Sequence, residues 1–342
     1  MRRMPLVAAL AAVSTAATVL AVTGTAHAAP GGLPDHMFAP YFETYNNSIG
    51  LAAAARQSAN QFLSLAFLQT DQPGSCVAYW NGDTTQPISP ASFGSDIAAI
   101  QDAGGNVIPS FGGASADTSG TELADSCTSV DAIAGVFESL ITTYNVPRID
   151  LDIEGDSVND TAGIDRRNKA VAMTEAWAAA HGRSIQFSYT LSVNPDGLPP
   201  EEIAILQNAI ANGVTNMIVN IMTFDYYVGP AQDMVANTKT AAAALVSELQ
   251  PLFPSATTQQ LWHRVGVTEM IGIDDFGPGE TLSARNASDV LVWARDRGIN
   301  TLSFWALQRD NGGCPGTAGS DTCSGITQRT WLFSRILEHF TR

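Results

Sequence analysis

The chain has 342 residues, with 17 Lys+Arg against 33 Asp+Glu and a formal net charge of −16. Hydrophobic residues make up 45% and charged residues only 15%, enough apolar material for a sizeable core, which excludes wholesale disorder. The acidic balance excludes nucleic-acid binding through a general electrostatic attraction and leaves a neutral partner or a cation as the easier one.

The first segment has the build of an export signal. Arg2 and Arg3 precede a nearly unbroken apolar or small run from Leu6 to Val22, and Ala26-His27-Ala28 fits a small-x-small cleavage pattern. Residues 1–28 therefore read as a secretory signal peptide and 29–342 as one domain. A membrane anchor is the competing reading, weakened by the Gly, Thr and Ala that dilute the end of the run. No later run approaches the roughly 20 apolar residues of a spanning helix, so a secreted, extracellular, monomeric protein is expected. Four cysteines, Cys76, Cys127, Cys314 and Cys323, then suggest two disulfides. Three pairings are possible. Nearest neighbours in Gly/Ser/Asp-rich loops favour Cys76–Cys127 and Cys314–Cys323. No CxxC spacing with a nearby His supports a zinc site.

From there one rhythm repeats: a short apolar or β-branched run, a loop, then a segment of helical length. The predicted strands are Phe38–Tyr45, Phe62–Gln69, Asn106–Gly113, Arg148–Gly155, Ser184–Leu191, Met217–Tyr227, Val265–Asp275 and Thr301–Arg309. The clearest predicted helix is Val130–Tyr144. In it Val130, Ile133, Phe137, Leu140, Ile141 and Tyr144 share one face, and Ser129 is placed to cap the start. Gly104-Gly105, Gly182, Gly213 and Gly298 each close a helix before the next strand. The last predicted helix is about Thr327–Phe340. Strict alternation implies a parallel sheet. Eight units with none left over favour closure into an α/β (β/α)8 TIM barrel in a single domain. No GxGxxG follows the first strand.

The most informative stretch is Arg148-Ile-Asp-Leu-Asp-Ile-Glu-Gly155. Asp150, Asp152 and Glu154 alternate with Ile149, Leu151 and Ile153, so in a strand the acids share one face. A barrel strand has no solvated face for three acids, which places them inside, one above another. Crowded carboxyls cannot all ionise cheaply, so at least one keeps a proton near neutral pH. Glu154 is last, at the C-terminal strand end where barrel active sites lie, and is placed to act as a general acid.

These residues resemble the DxxDxDxE signature of glycoside hydrolase family 18, the chitinases and their relatives. Ser110-Phe-Gly-Gly113 is similar to the family's SxGG at strand three, Met222-Thr-Phe-Asp-Tyr-Tyr227 to its MxYD at strand six, and Ser303-Phe-Trp305 to its strand-eight end. Val265-Gly-Val-Thr-Glu-Met-Ile-Gly272 is similar to strand seven of bacterial members. The resemblance spans residues 37–340 in order. It implies a secreted chitinase that cleaves β-1,4 links between N-acetylglucosamine units by substrate-assisted retaining catalysis, with chitin or its oligosaccharides as partner and no metal or organic cofactor. Glu154, Asp152 and Asp150 are the implied catalytic residues. Met222, Asp225, a nearby Tyr and Trp305 are implied on the substrate.

Two positions depart from the pattern. Pro147 stands at the family's first Asp, and Phe224 stands at the Tyr of MxYD. Tyr226 shares the face of Phe224 if the strand continues, and Tyr227 faces in if it bulges. Trp305 can stack on a sugar ring or pack in the core. Tyr41 and Gln69, at the ends of strands one and two, are candidates for the same mouth. Trp80 is a candidate either for extending the cleft or for covering the barrel end. Ser110, Gly112 and Gly113 read as structural, and Arg166-Arg167 as a solvated helix patch. Asn46, Asn159 and Asn286 fit N-x-[ST]. Three other readings stay open on sequence: an endo-β-N-acetylglucosaminidase on N-glycans, a sugar-binding lectin of the same fold, and a barrel hydrolase using two carboxylates.

Overall fold

The computed structural model describes Met1, residues 33–227 and residues 229–341; apart from Met1, the signal segment proposed for residues 1–28 lies outside the described residues. Eight parallel strands form one ladder: β1 in two pieces (Met37–Phe38 and Tyr41–Glu43), β2 (Phe62–Thr70), β3 (Asn106–Gly112), β4 (Arg148–Ile153), β5 (Gln186–Ser192), β6 (Met217–Met222), β7 (Val265–Met270) and β8 (Thr301–Trp305). Helices follow them in alternation: α1 (Leu51–Ser58), α2 (Ser95–Asp102), α3 (Val130–Tyr144), α4 (Thr161–Ala180), α5 (Pro200–Ala211), α6 (Met234–Leu252), α7 (Ala284–Arg297) and α8 (Leu332–Leu337).

The break in β1 is what closes the sheet. Its first piece pairs with β8, Phe38 opposite Leu302, while its second pairs with β2, Tyr41 opposite Ser64. Pro40 lies between the two pieces; it has no N–H to donate, yet its carbonyl still accepts from Ser64 at 3.0 Å. The neighbours of β1 are thus the last and second strands, and the ladder returns to itself as a (β/α)8 barrel.

Sequence fixes the inside and outside of each strand. On β4, Ile149, Leu151 and Ile153 are at most 1% exposed and belong to the large apolar layer between sheet and helices. On α3, Ile133, Phe137, Leu140, Ile141 and Tyr144 are buried, and Ser129 Oγ accepts the Ala132 N–H at the start. Gly298 closes α7 in the left-handed region, φ 69°. The two disulfides are Cys76–Cys127 and Cys314–Cys323. The first closes a span of 51 residues, worth about 4 kcal/mol on the chain-entropy view.

Several predicted boundaries shift: the fifth strand starts at Gln186 rather than Ser184, and the largest shifts are at the C-terminal ends of strands. β6 stops at Met222 rather than Tyr227, β7 at Met270 rather than Asp275, and β8 at Trp305 rather than Arg309. The residues beyond are loops, which include a two-stranded hairpin, Gly272–Ile273 with Thr281–Leu282. The last helix is also shorter than expected. Asp310 takes the backbone N–H groups of Phe333 (3.1 Å) and Ser334 (2.8 Å), and Gln328 donates to its Oδ1, so the stretch before Leu332 is tied to that carboxylate instead of winding. Arg167 is not solvated. It is 1% exposed and bridges Glu122 at 2.8 Å and Asp125 at 3.7 Å beneath the barrel mouth.

Candidate active site

β4 carries its three acids into the barrel as the alternation requires. Asp150 is deepest, 2% exposed, and four hydroxyls hold it. Tyr41 Oη (2.9 Å) and Ser110 Oγ (2.6 Å) donate to one oxygen; Ser188 Oγ (2.5 Å) and Thr190 Oγ1 (2.7 Å) donate to the other. Each hydroxyl sits on a different strand from Asp150. Inward-facing Ser and Thr on β3 and β5 therefore belong to the site as much as the acids do.

Asp152 lies above, 4% exposed, and its Oδ1 has no hydrogen-bond partner among the described residues. Burial first, then the Glu154 and Asp150 charges, hold its carboxyl well above the usual carboxylate range. Room for it comes from Gly112: a Cβ there would lie 2.1 Å from the Asp152 carbonyl oxygen, so no other residue fits without moving the strand. Glu154 follows at the strand end, with its side chain in the cleft. Burial pushes it up to about 7, aided by Asp225 and Asp275 and opposed by the Ala114 backbone N–H.

The cleft above these acids encloses about 550 Å³. Asp152 and Glu154 line it with Met222, Phe224, Asp225 and Trp305. Trp305 stacks on Phe67 with ring planes 13° apart and meets the Tyr41 ring at 5.7 Å. Gln69 also lines the cleft, and its Oε1 accepts from Thr121 Oγ1 at 2.7 Å. Asp225 is pushed up to about 6 by burial and then by Asp275, whose backbone N–H it accepts at 3.1 Å.

Other sequence candidates lie elsewhere. Tyr41 is 2% exposed and acts beneath the cleft, on Asp150, rather than at its mouth. Tyr226 and Tyr227 do not line the cleft. The ladder has ended by then, and Asp225 and Tyr227 adopt positive φ, 51° and 57°. The face alternation is therefore lost: Tyr226 turns into the core at 8% exposure, and Tyr227 is 61% exposed against Phe276. Trp80 is 1% exposed, packs on Phe93 and donates to Tyr144 Oη at 3.2 Å, which makes it core. Sequence reasoning missed Tyr45, Phe67, Met270, Asp275 and Asp321, all of which line the cleft. Tyr45, Phe67, Met270 and Asp275 all lay in predicted strands, but the register shift between Ala66 and Leu68 breaks the alternation at Phe67, and Tyr45 and Asp275 fall beyond the ends of their strands, as loop residues like Asp321.

No family model matches the chain. It is 33% identical over 323 residues to a probable bifunctional chitinase/lysozyme of Escherichia coli (strain K12), matching 90% of this chain and 35% of that protein. It is also 33% identical over 290 residues to Endochitinase 11 of Metarhizium anisopliae, matching 81% of this chain and 53% of the relative. The chain thus spans about a third to a half of the curated relatives it matches. Among solved structures, the catalytic domain of a hyperthermophilic chitinase from Pyrococcus furiosus superposes with a TM-score of 0.78 at 27% identity, covering 90% of this chain and 95% of that one. Catalytic-site mutants of the same archaeal chitinase, complexed with chito-oligosaccharides, superpose equally well. The fold is a (β/α)8 barrel, and the relatives that share it are glycoside hydrolases. In fold and sequence the chain resembles the chitinase-like domains of glycoside hydrolase family 18.

Proposed function

We propose that the protein is a secreted chitinase that hydrolyses β-1,4 links between N-acetylglucosamine units with retention, using the substrate's own acetamido group. The observation that carries this reading is the pairing of Glu154, raised to about 7 at the cleft, with a buried Asp152 whose Oδ1 has no partner among the described residues. A carboxyl that still holds its proton near neutral pH can give it to the glycosidic oxygen. The acetamido oxygen, held within the same sugar, attacks C1 at high effective concentration as the C1–O bond breaks and its electron pair leaves with the departing oxygen. Asp152 Oδ1 accepts the acetamido N–H and offsets the positive charge that develops. Glu154, now ionised, takes a proton from the water that attacks C1; the bond from C1 to the acetamido oxygen breaks, its electron pair returns to the acetamido group, and the acid is restored. Asp150 lies below, and its charge helps keep Asp152 raised. Trp305 offers an apolar face to the sugar ring, and Asp225 faces the acetamido side. The chitinase relatives and the archaeal complex with chito-oligosaccharides support this substrate class. The signal-like start and the two disulfides support export of a mature chain from Ala29.

The test is product release from chitopentaose by the wild type and Glu154→Gln. Loss of about 10²–10⁴-fold in kcat is expected for the variant. Wild-type kcat/KM should fall as pH rises through about 7, because the acid is then ionised before the substrate arrives. Undiminished hydrolysis by Glu154→Gln would exclude the role.

A further inference from the structure

A short helix, Ala114–Ser119, follows β3 and forms one wall of the cleft through Ala114, Ser115 and Ala116. Its fourth residue, Asp117, turns the other way. Asp117 is 1% exposed, and its Oδ2 accepts the backbone N–H of Glu154 at 2.5 Å. In the opposite sense, the Ala114 backbone N–H acts on the Glu154 carboxyl and lowers its pKa. Two segments distant in sequence therefore meet at Glu154, one holding its backbone by a hydrogen bond and one setting an N–H dipole on its side chain. The helix is itself pinned to β4, since Gly113 N–H donates to the Asp152 carbonyl at 3.0 Å.

We propose that Asp117 is a positioning residue for Glu154: by accepting the N–H at the end of β4 it keeps the Ala114 N–H on the Glu154 carboxylate, and so fixes where the acid points. This rests on the reading of Glu154 as the general acid. The charged groups facing Asp117 are Glu122 and Arg167 from the buried ion cluster, and Glu154 and Asp152 from β4 and its end. Burial and then Glu122 push Asp117 up to about 9, so it works as a neutral acceptor and adds no charge behind the acid. Its Oδ1 has no partner among the described residues, so no second bond competes with the one from Glu154.

The test measures kcat, KM and their pH dependence on chitopentaose for Asp117→Ala, Asp117→Asn and Ala114→Pro. Asp117→Ala is expected to lower kcat by roughly tenfold or more, with KM within about twofold. It should also move the basic limb of kcat/KM up by about half a unit to one unit, because the displaced Ala114 N–H favoured the ionised acid. Asp117→Asn keeps a neutral acceptor oxygen and should return kcat to within about threefold, with the limb back in place. Ala114→Pro removes that backbone N–H at a helix position that tolerates proline, and should reproduce both changes. It decides the matter if Asp117→Ala does not fold. A limb that stays put in the folded variants, or an Asn variant as impaired as the Ala variant, overturns the proposal while leaving Glu154 in its role. Full activity in Glu154→Gln removes the acid reading and this one together.

Discussion

The site is built from two kinds of backbone that treat side chains differently. Along β4, a continuous ladder to β3 and β5 holds the register, with Asp150 opposite Ser110 and Ser188, and Asp152 opposite Gly112 and Thr190. Side-chain direction is then set by position alone, and three acids spaced by two residues must face the same interior. Past β6 the pairing stops at Met222, and the chain passes through left-handed residues at Asp225 and Tyr227. There, direction is set by local hydrogen bonds: Asp225 N–H to Asp274 Oδ2 at 3.1 Å, and Tyr226 N–H to Glu280 Oε2 at 2.7 Å. The difference teaches that alternation is a property of the pairing, not of the residues.

The strand half should give the larger effects. Asp152→Asn keeps shape and buried volume but removes the carboxyl's capacity to ionise as the positive intermediate forms, so kcat on chitopentaose should fall about 10²–10³-fold with a smaller change in KM. A loss of less than tenfold would mean that the ladder is a packing device and that charge is supplied from elsewhere in the cleft.

The same contrast explains what the sequence disclosed. Eight strands, the inward acids, the helix at Val130–Tyr144 with its Ser129 cap, and both disulfides follow from period, capping chemistry and spacing, which are local signals. The four hydroxyls on Asp150 were not legible, because Tyr41, Ser110, Ser188 and Thr190 meet only after the barrel closes. Arg167 looked like half of a surface pair; nothing within α4 announces that Glu122 and Asp125 wait 45 and 42 residues away. Asp117 and the loop acids Asp275 and Asp321 carry no periodicity at all. Fold class is written in repeated short-range patterns, whereas the surroundings of each acid depend on contacts between strands.

Asp225 stands at the junction of the two halves. It lines the cleft but is oriented by the loop, through the Asp275 N–H on its Oδ1. Asp225→Asn preserves an acceptor for that bond and removes ionisation, so a loss of about tenfold in kcat/KM is expected, the size of one substrate hydrogen bond. A loss as large as that of Asp152→Asn would show that a loop carboxyl can be held as rigidly as one on a strand, and the contrast drawn above would fail for catalysis.

The smallest effects belong to the two tyrosines beyond Asp225. Tyr226 is buried in the core, and its hydroxyl has no hydrogen-bond partner among the described residues. Tyr226→Phe therefore removes a buried polar group without breaking a bond, and the melting temperature should hold or rise slightly while kcat and KM stay within about twofold. Tyr227→Ala strips an exposed ring from Phe276 and should shift stability by no more than about 0.5 kcal/mol, again with unchanged kinetics. If the phenol that the resemblance expects at position 224 were supplied by either residue, the matching variant would lose activity at unchanged stability. That outcome would require the segment after Met222 to resume a strand-like path when sugar binds. The left-handed residues would then mark one of two conformations of this segment, and the loop half of the site would be the half that adapts.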